Sequence, residues 1–303
     1  MSGIIDRILA DLGDPDLVSK LQDLSPSQLN SLLLEVFQEK AERLTPSALL
    51  RNFEENRFVR PSSLDPLVCL RLTLELLEEA DRQGISPVLL SPAAPLGSAS
   101  AFGCVDQRKV VSALRGTELL SDPTNLLALI LAGQVRRGKD NREGLHLCAA
   151  AGVTRAQGFS GGKNFSTFGL FGLVSSGRDM GSYRCEQALL LKHLLFYRTF
   201  LEKRGLTGLS ITLRRRGGYP DGEGFFRRMA EFVRERFPGV PLILEEENSD
   251  NQYYLGLNFK LRLQTGDGSF EVGDGGFTDW TQRLLGDKKE RCLISGAGLE
   301  RLI

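Results

Sequence analysis

Thr154-Arg155-Ala156-Gln157, then Gly158-Phe159-Ser160-Gly161-Gly162-Lys163-Asn164, then Thr167-Phe168-Gly169-Leu170-Phe171-Gly172-Leu173-Val174: an apolar run enters this stretch and another leaves it. Residues 145–154 and 167–174 are predicted as two strands around a glycine-rich loop, a natural ligand clamp. Arg155 stands at the end of the first strand and Phe168 at the start of the second. If the hairpin folds over a nucleotide, the guanidinium can fork a phosphate while the ring stacks on a base. The loop echoes a P-loop only falsely, because Gly-x-x-x-Gly-Lys-Asn has the wrong spacing and lacks the Ser or Thr that magnesium needs.

A second phosphate-suited element closes the sequence, Gly296-Ala297-Gly298-Leu299-Glu300-Arg301-Leu302-Ile303. It reads as a Gly-x-Gly turn that delivers Arg301, whose fork of donors would close the site from the far side. Between the two, residues 183–203 have the pattern of a largely buried helix. Residues 209–213, 241–245, 253–263 and 269–272 read as strands, with Gly266-Asp267-Gly268 as a hairpin turn. A helix over 224–237, another near 281–285 and a strand over 292–295 complete this half. Hairpins and long strands interleaved with helices predict an α+β fold, a mixed, mainly antiparallel sheet flanked by helices.

Toward the N-terminus, residues 1–62 carry helical periodicity in short pieces, with Ser25-Pro26-Ser27 and Thr45-Pro46-Ser47 as helix starts, and read as a small helical appendage. Residues 63–303 form the core. Its first helix, 67–83, is closed by Gly84 and followed by a strand over 85–90 and Ser91-Pro92. Leu114-Arg115-Gly116-Thr117-Glu118 lies in a polar stretch, and Asp122-Pro123-Thr124 can cap the helix that follows.

The composition is that of a globular protein, 41% hydrophobic and 25% charged, with 38 basic residues balancing 38 acidic ones. No global field therefore draws the chain to nucleic acid or to an anionic membrane. The five cysteines are dispersed and only two histidines are present, which argues against a zinc cluster, a redox pair or a Ser-His-Asp triad. The cysteines read as buried thiols of a reducing cytoplasm. No apolar run approaches the ~18 residues of a membrane span. Arg214-Arg215-Arg216 and Glu245-Glu246-Glu247 read as solvated strand ends.

Taken in order, these motifs resemble the catalytic core of class II aminoacyl-tRNA synthetases, most nearly the histidyl-tRNA synthetase branch. The helix, glycine, strand and Pro92 are similar to the family's dimer-forming first motif. Arg155, the loop and Phe168 resemble its second, and Gly275-Gly276-Phe277-Thr278-Asp279 with Gly296 to Arg301 its third. Tyr253-Tyr254-Leu255-Gly256 resembles the branch's paired tyrosines. The resemblance implies ATP as cofactor, held by Arg155, Gln157, Phe168, Gly296, Gly298 and Arg301, with Arg155 and Arg301 stabilising charge on the phosphates. It places Tyr253, Tyr254, Gly275 and Gly276 around a small amino-acid-like ligand. Thr117 and Glu118 either join them or serve a turn. It also implies a homodimer.

The departures limit what is carried over. Gln157 replaces a glutamate, Leu170 and Val174 replace polar residues, Phe259-Lys260 replaces Phe-Glu, and Ser249-Asp250-Asn251-Gln252 replaces the histidine-recognising segment. Fewer carboxylates mean fewer ligands for Mg2+, which the resemblance admits beside ATP, and no residue is assigned to a metal. Histidine activation is not expected. The expectation is a paralogue without an anticodon-binding domain, with tRNA left open as a partner. It either activates a carboxylate as an acyl-adenylate or serves as a regulatory subunit like that of ATP phosphoribosyltransferase.

Overall fold

Proline and capping side chains set the helix starts. Ser25 accepts from the Gln28 backbone in a capping box ahead of α3 (Pro26–Glu42), and Thr45 accepts from the Ala48 N–H ahead of α4 (Pro46–Glu55). With α1 (Ser2–Leu12) and α2 (Leu17–Gln22) these build the N-terminal helices, and no residue of α2, α3 or α4 is buried. The computed structural model describes residues 2–156, 166–246, 254–265 and 268–303. Gln157, the loop 158–164, segment 249–252, Tyr253 and the Gly266-Asp267 turn lie outside the described residues.

Helix α5 (Pro66–Arg82) is capped by Asp65 and buries Leu72, Leu76, Glu79 and Ala80, a stripe of helical spacing. The strand expected over 85–90 contracts to β1 (Ser86–Pro87), since Pro87 has no N–H to give a ladder. A small antiparallel sheet follows, with β3 (Ser112–Ala113) and β2 (Ala93–Pro95) on either side of β4 (Thr117–Leu119). Next come α6 (Pro123–Arg136), β5 (Leu145–Thr154), β6 (Thr167–Arg178) and α7 (Arg184–Lys203). The rest is β7 (Leu209–Arg215), α8 (Gly222–Arg236), β8 (Leu242–Glu245), β9 (Leu255–Thr265), β10 (Gly268–Thr278), α9 (Trp280–Leu285) and β11 (Glu290–Gly298).

The main sheet runs β1-β5-β6-β11-β10-β9-β7-β8, antiparallel except for the edge pairs β1/β5 and β7/β8. Side chains alternate between its faces. Phe171, Leu173, Leu293 and Ala297 pack with α5, α7 and α8, whereas Val174, Cys292 and Ile294 pack with α6 and Trp280 of α9. The mixed, mainly antiparallel α+β architecture is the expected one.

Gly296 and Gly298, expected in a turn, instead lie in the last strand, paired with Gly172 and Leu170 of β6. Arg301 then follows in a single 3-10 turn, Leu299–Arg301. Gly275 and Gly276 are likewise inside β10. Cys148, Cys185 and Cys292 are buried, and burial pushes each thiol up to about 12, so they are inert core residues. Cys69 is half-buried and Cys104 exposed, so the expectation of buried thiols fails for these two.

Candidate active site

Helix α6 begins against the sheet because Gly172 lets it. A Cβ at Gly172 would lie 2.7 Å from Cγ of Pro123, the first residue of the helix. The chain reaches that point from the small sheet, where Leu120 donates to the Pro92 carbonyl and accepts from Thr154 N–H at 2.8 Å, tying it to the end of β5. Ser121 and Asp122 are thereby set beside Arg155. The Arg155 Nε donates to the Ser121 carbonyl at 2.9 Å, and its guanidinium pairs with Asp122 at 3.1 Å. Asp122 also caps α6 by accepting from Thr124 N–H and hydroxyl.

Arg155 lies over the Phe168 ring, 5.1 Å from its centroid. That ring is partly buried against Ala94, Leu120 and Val153. Both residues open onto a cleft of about 1150 Å3 on the α6 face of the sheet, beside Leu170 of β6, Gly296 and Gly298 of β11 and Arg301. Arg301 donates to the Glu271 carbonyl at 3.1 Å and has a side chain 56% exposed. Arg60 and Lys109 add positive charge, the former from the segment that joins α4 to α5.

Tyr254, Glu271 and Asp274 also line the cleft. Tyr254 donates its hydroxyl to Asp274 at 3.0 Å. Its ring packs over Gly276, where a Cβ would lie 2.5 Å from the ring, so the glycine is required for the tyrosine to reach the aspartate. Burial raises the Asp274 carboxyl above the usual carboxylate range, with Glu271 and Asp122 adding to the effect against the Tyr254 hydrogen bond and Lys260. Glu271 is paired with Lys260 at 2.7 Å.

No family model matches the chain, and no curated protein matches it. Solved structures do. An ATP phosphoribosyltransferase regulatory subunit/histidyl-tRNA synthetase from Bacillus halodurans superposes with a TM-score of 0.62 at 13% identity, covering 82% of each chain. The apo histidyl-tRNA synthetase of S. aureus gives 0.62 at 13% identity over 80% of this chain and 67% of that one. The fold is that of a class II aminoacyl-tRNA synthetase core. A pyrrolysyl tRNA synthetase from Desulfitobacterium hafniense is similar as well, at 0.51 and 13% identity over 84% of this chain and 70% of the other.

Within this synthetase-like core, Arg155, Phe168, Gly296, Gly298, Arg301 and Tyr254 converge on one cleft. Thr117 and Glu118 do not reach it. The Thr117 hydroxyl donates to the Leu114 carbonyl, which closes a turn. Glu118, 1% exposed, accepts from the backbone of Gly97 and Ala99 and from Gln107, so its carboxylate staples residues 97–107 to the small sheet. Gly275 and Gly276 are also not on the cleft surface, and Gly276 acts through Tyr254. Of the two roles left open for Thr117 and Glu118 these contacts are those of a turn and its anchor, and Gly275 and Gly276, expected around the ligand, do not line the cleft.

The sequence reading did not find Asp122, Glu271, Asp274, Arg60 or Lys109 as cleft residues. Asp122 was legible only as a cap, and Asp274 carried one signal, a carboxylate amid three glycines of its strand. Arg216 departs from the solvated strand end expected of it. It is 5% exposed and donates to Asn258 at 2.7 Å. Among the described residues, no helix is long and apolar enough to cross a membrane.

Proposed function

We propose that the cleft binds ATP or a related nucleotide together with a small amino-acid-like ligand. The single observation that carries this reading is the convergence of Arg155, Phe168 and Arg301, from three separate segments, on one cleft. A volume of about 1150 Å3 is generous for one small ligand, since such pockets usually run to ~300–1,000 Å3, and suits a nucleotide with a second molecule beside it. Phe168 offers a base platform, Arg155 a phosphate fork, and Arg301 a second cation at the far wall. Arg155, which lies over the ring at 5.1 Å, would turn from it to the anion.

If the protein is an enzyme, the reaction is carboxylate activation. A carboxylate oxygen attacks the α-phosphorus, the bond to the β-phosphate oxygen breaks, and pyrophosphate leaves with an acyl-adenylate formed. The two arginines stabilise charge on the phosphates. Among the described residues no cluster of three or more acidic, histidine or cysteine side chains could hold a metal. No step is routed through a metal.

One observation favours a second reading, a regulatory subunit without catalysis. Leu170 lines the cleft and Val174 is in the core, at two positions where the resemblance implies polar residues, which leaves fewer polar groups on that strand than a catalytic site would offer. The similar structure from Bacillus halodurans carries a regulatory-subunit name. Pyrophosphate exchange screened over all amino acids separates the readings, because a robust signal with any of them excludes a purely regulatory role. Under either reading a homodimer in the cytoplasm is proposed, and a monomer in light scattering at micromolar concentration would contradict the dimer. No tRNA is assigned.

A further inference from the structure

The charges of the cleft are arranged unequally. Asp122 is paired with Arg155, and Glu271 with Lys260 and, at 3.7 Å, with Arg301. Glu300 accepts from the Gly169 N–H. Among the described residues Asp274 has no ion-pair partner and accepts a single hydrogen bond, from Tyr254. A carboxylate has about four lone-pair positions, and Asp274, half-buried on the cleft surface, keeps acceptor capacity to offer a ligand there.

Asp274 is also aimed. It pairs in register with Gly296 on β11 and with Lys260 on β9, so all three share the face of the sheet that floors the cleft. Lys260, its register partner on that face, is turned to Glu271. Tyr254 fixes the Asp274 carboxyl from the side, and Gly296 leaves the neighbouring floor without a side chain. The cleft thus presents a cation, Arg155, and an acidic floor position, Asp274.

From this arrangement we propose that Asp274, oriented by Tyr254, is the specificity-determining group for the small ligand and takes a protonated amine of it. The proposal rests on the nucleotide reading for the position of the ligand's carboxylate, which lies toward Arg155. The ligand is then a small molecule with a carboxylate and an ammonium, and a carboxylic acid lacking the amine is rejected. The amine is either the α-ammonium of an amino acid or one at the far end of the chain, and probes distinguish these.

Four probes of similar length are titrated calorimetrically into the full chain, with and without a non-hydrolysable ATP analogue: hexanoate, 6-aminohexanoate, norleucine and lysine. At least one amine-bearing probe is expected to bind about tenfold or more tightly than hexanoate, the scale of one charge-assisted hydrogen bond. Norleucine ahead of 6-aminohexanoate assigns the α-ammonium, and the reverse order the distal one. Asp274→Asn keeps the shape and the Tyr254 acceptor, and is expected to abolish the preference while leaving the ATP analogue's affinity unchanged. Tyr254→Phe, a second variant, should weaken the preference.

Equal binding of hexanoate and the amine probes, no saturable amine binding, or an intact preference in Asp274→Asn overturns the proposal. The two readings fail separately. Retained ATP-analogue binding without an amine preference removes only the role of Asp274. An Asp274-dependent amine preference without nucleotide binding removes the nucleotide reading and leaves the amine site standing.

Discussion

Arg155 covers the ring of Phe168 at 5.1 Å while its guanidinium is held by Asp122 at 3.1 Å. The pair is partly exposed, with side chains 28% and 24% accessible, so it contributes ~1 kcal/mol or less and can be exchanged for a phosphate. Under the nucleotide reading Arg155 turns to a phosphate and Phe168 takes the base. Tripolyphosphate, which has no base, should therefore bind more weakly than ATP. Phe168→Ala should lower ATP affinity about tenfold, the scale of base stacking, and leave tripolyphosphate unaffected. Equal losses for both anions in competition titrations would show that the ring only supports the fold.

Asp122 has a second duty at the start of α6. Asp122→Ala removes the cap and should lower stability by about 1 kcal/mol, read as a lower melting temperature without nucleotide. Gly172→Ala attacks the same junction from the sheet, since its Cβ would meet Pro123 at 2.7 Å. It should cost about 1–3 kcal/mol, and an unchanged melting curve would contradict the packing described.

Gly276→Ala tests whether Tyr254 depends on the glycine beneath it. The new Cβ would lie 2.5 Å from the ring and must displace it, so the hydroxyl would leave Asp274. The expected outcome is a stability loss of about 1–3 kcal/mol together with a weaker amine preference. Nucleotide affinity should change little.

Acid sensitivity follows from the two histidines. His193 of α7 bridges Ser175 and Ser295, each at 2.8 Å, and His146 of β5 meets the same Ser175 at 2.7 Å. Burial, aided by Lys192, pulls His146 down to about 4, and burial lowers His193 well below its usual value. The unfolded chain binds protons from about pH 6.5 downward while these imidazoles refuse them. Their contribution is thus complete above pH 6.5 and is lost as pH falls toward 4. Asp274 and Glu290, raised by burial, act with the opposite sign in acid. His193→Gln should flatten the fall in melting temperature between pH 6.5 and 4.5, and an unchanged slope would contradict this assignment.

The fold was legible where one sequence signal fixed one local geometry. Proline and Ser or Thr marked the starts of α3 and α4, and apolar runs on either side of a glycine-rich stretch marked β5 and β6. Arg155 and Phe168 were legible because strand ends flank a loop. The cleft's acidic wall was not, because Asp274 meets Tyr254 only through the packing of one strand on the next. The role of Glu118 stayed open for a related reason. A polar residue beside the cleft sequence turned out to be fully engaged by backbone amides of a loop about 20 residues upstream, contacts that only the folded chain supplies.

Calorimetric titration of ATP into the full chain, wild type against Arg155→Ala, tests the central claim most directly. Saturable one-site binding by the wild type, weakened about 10- to 100-fold by the substitution, is the predicted result, on the scale of one to two lost charge-assisted hydrogen bonds. Absence of saturable binding, or the same affinity in both proteins, would contradict the nucleotide site.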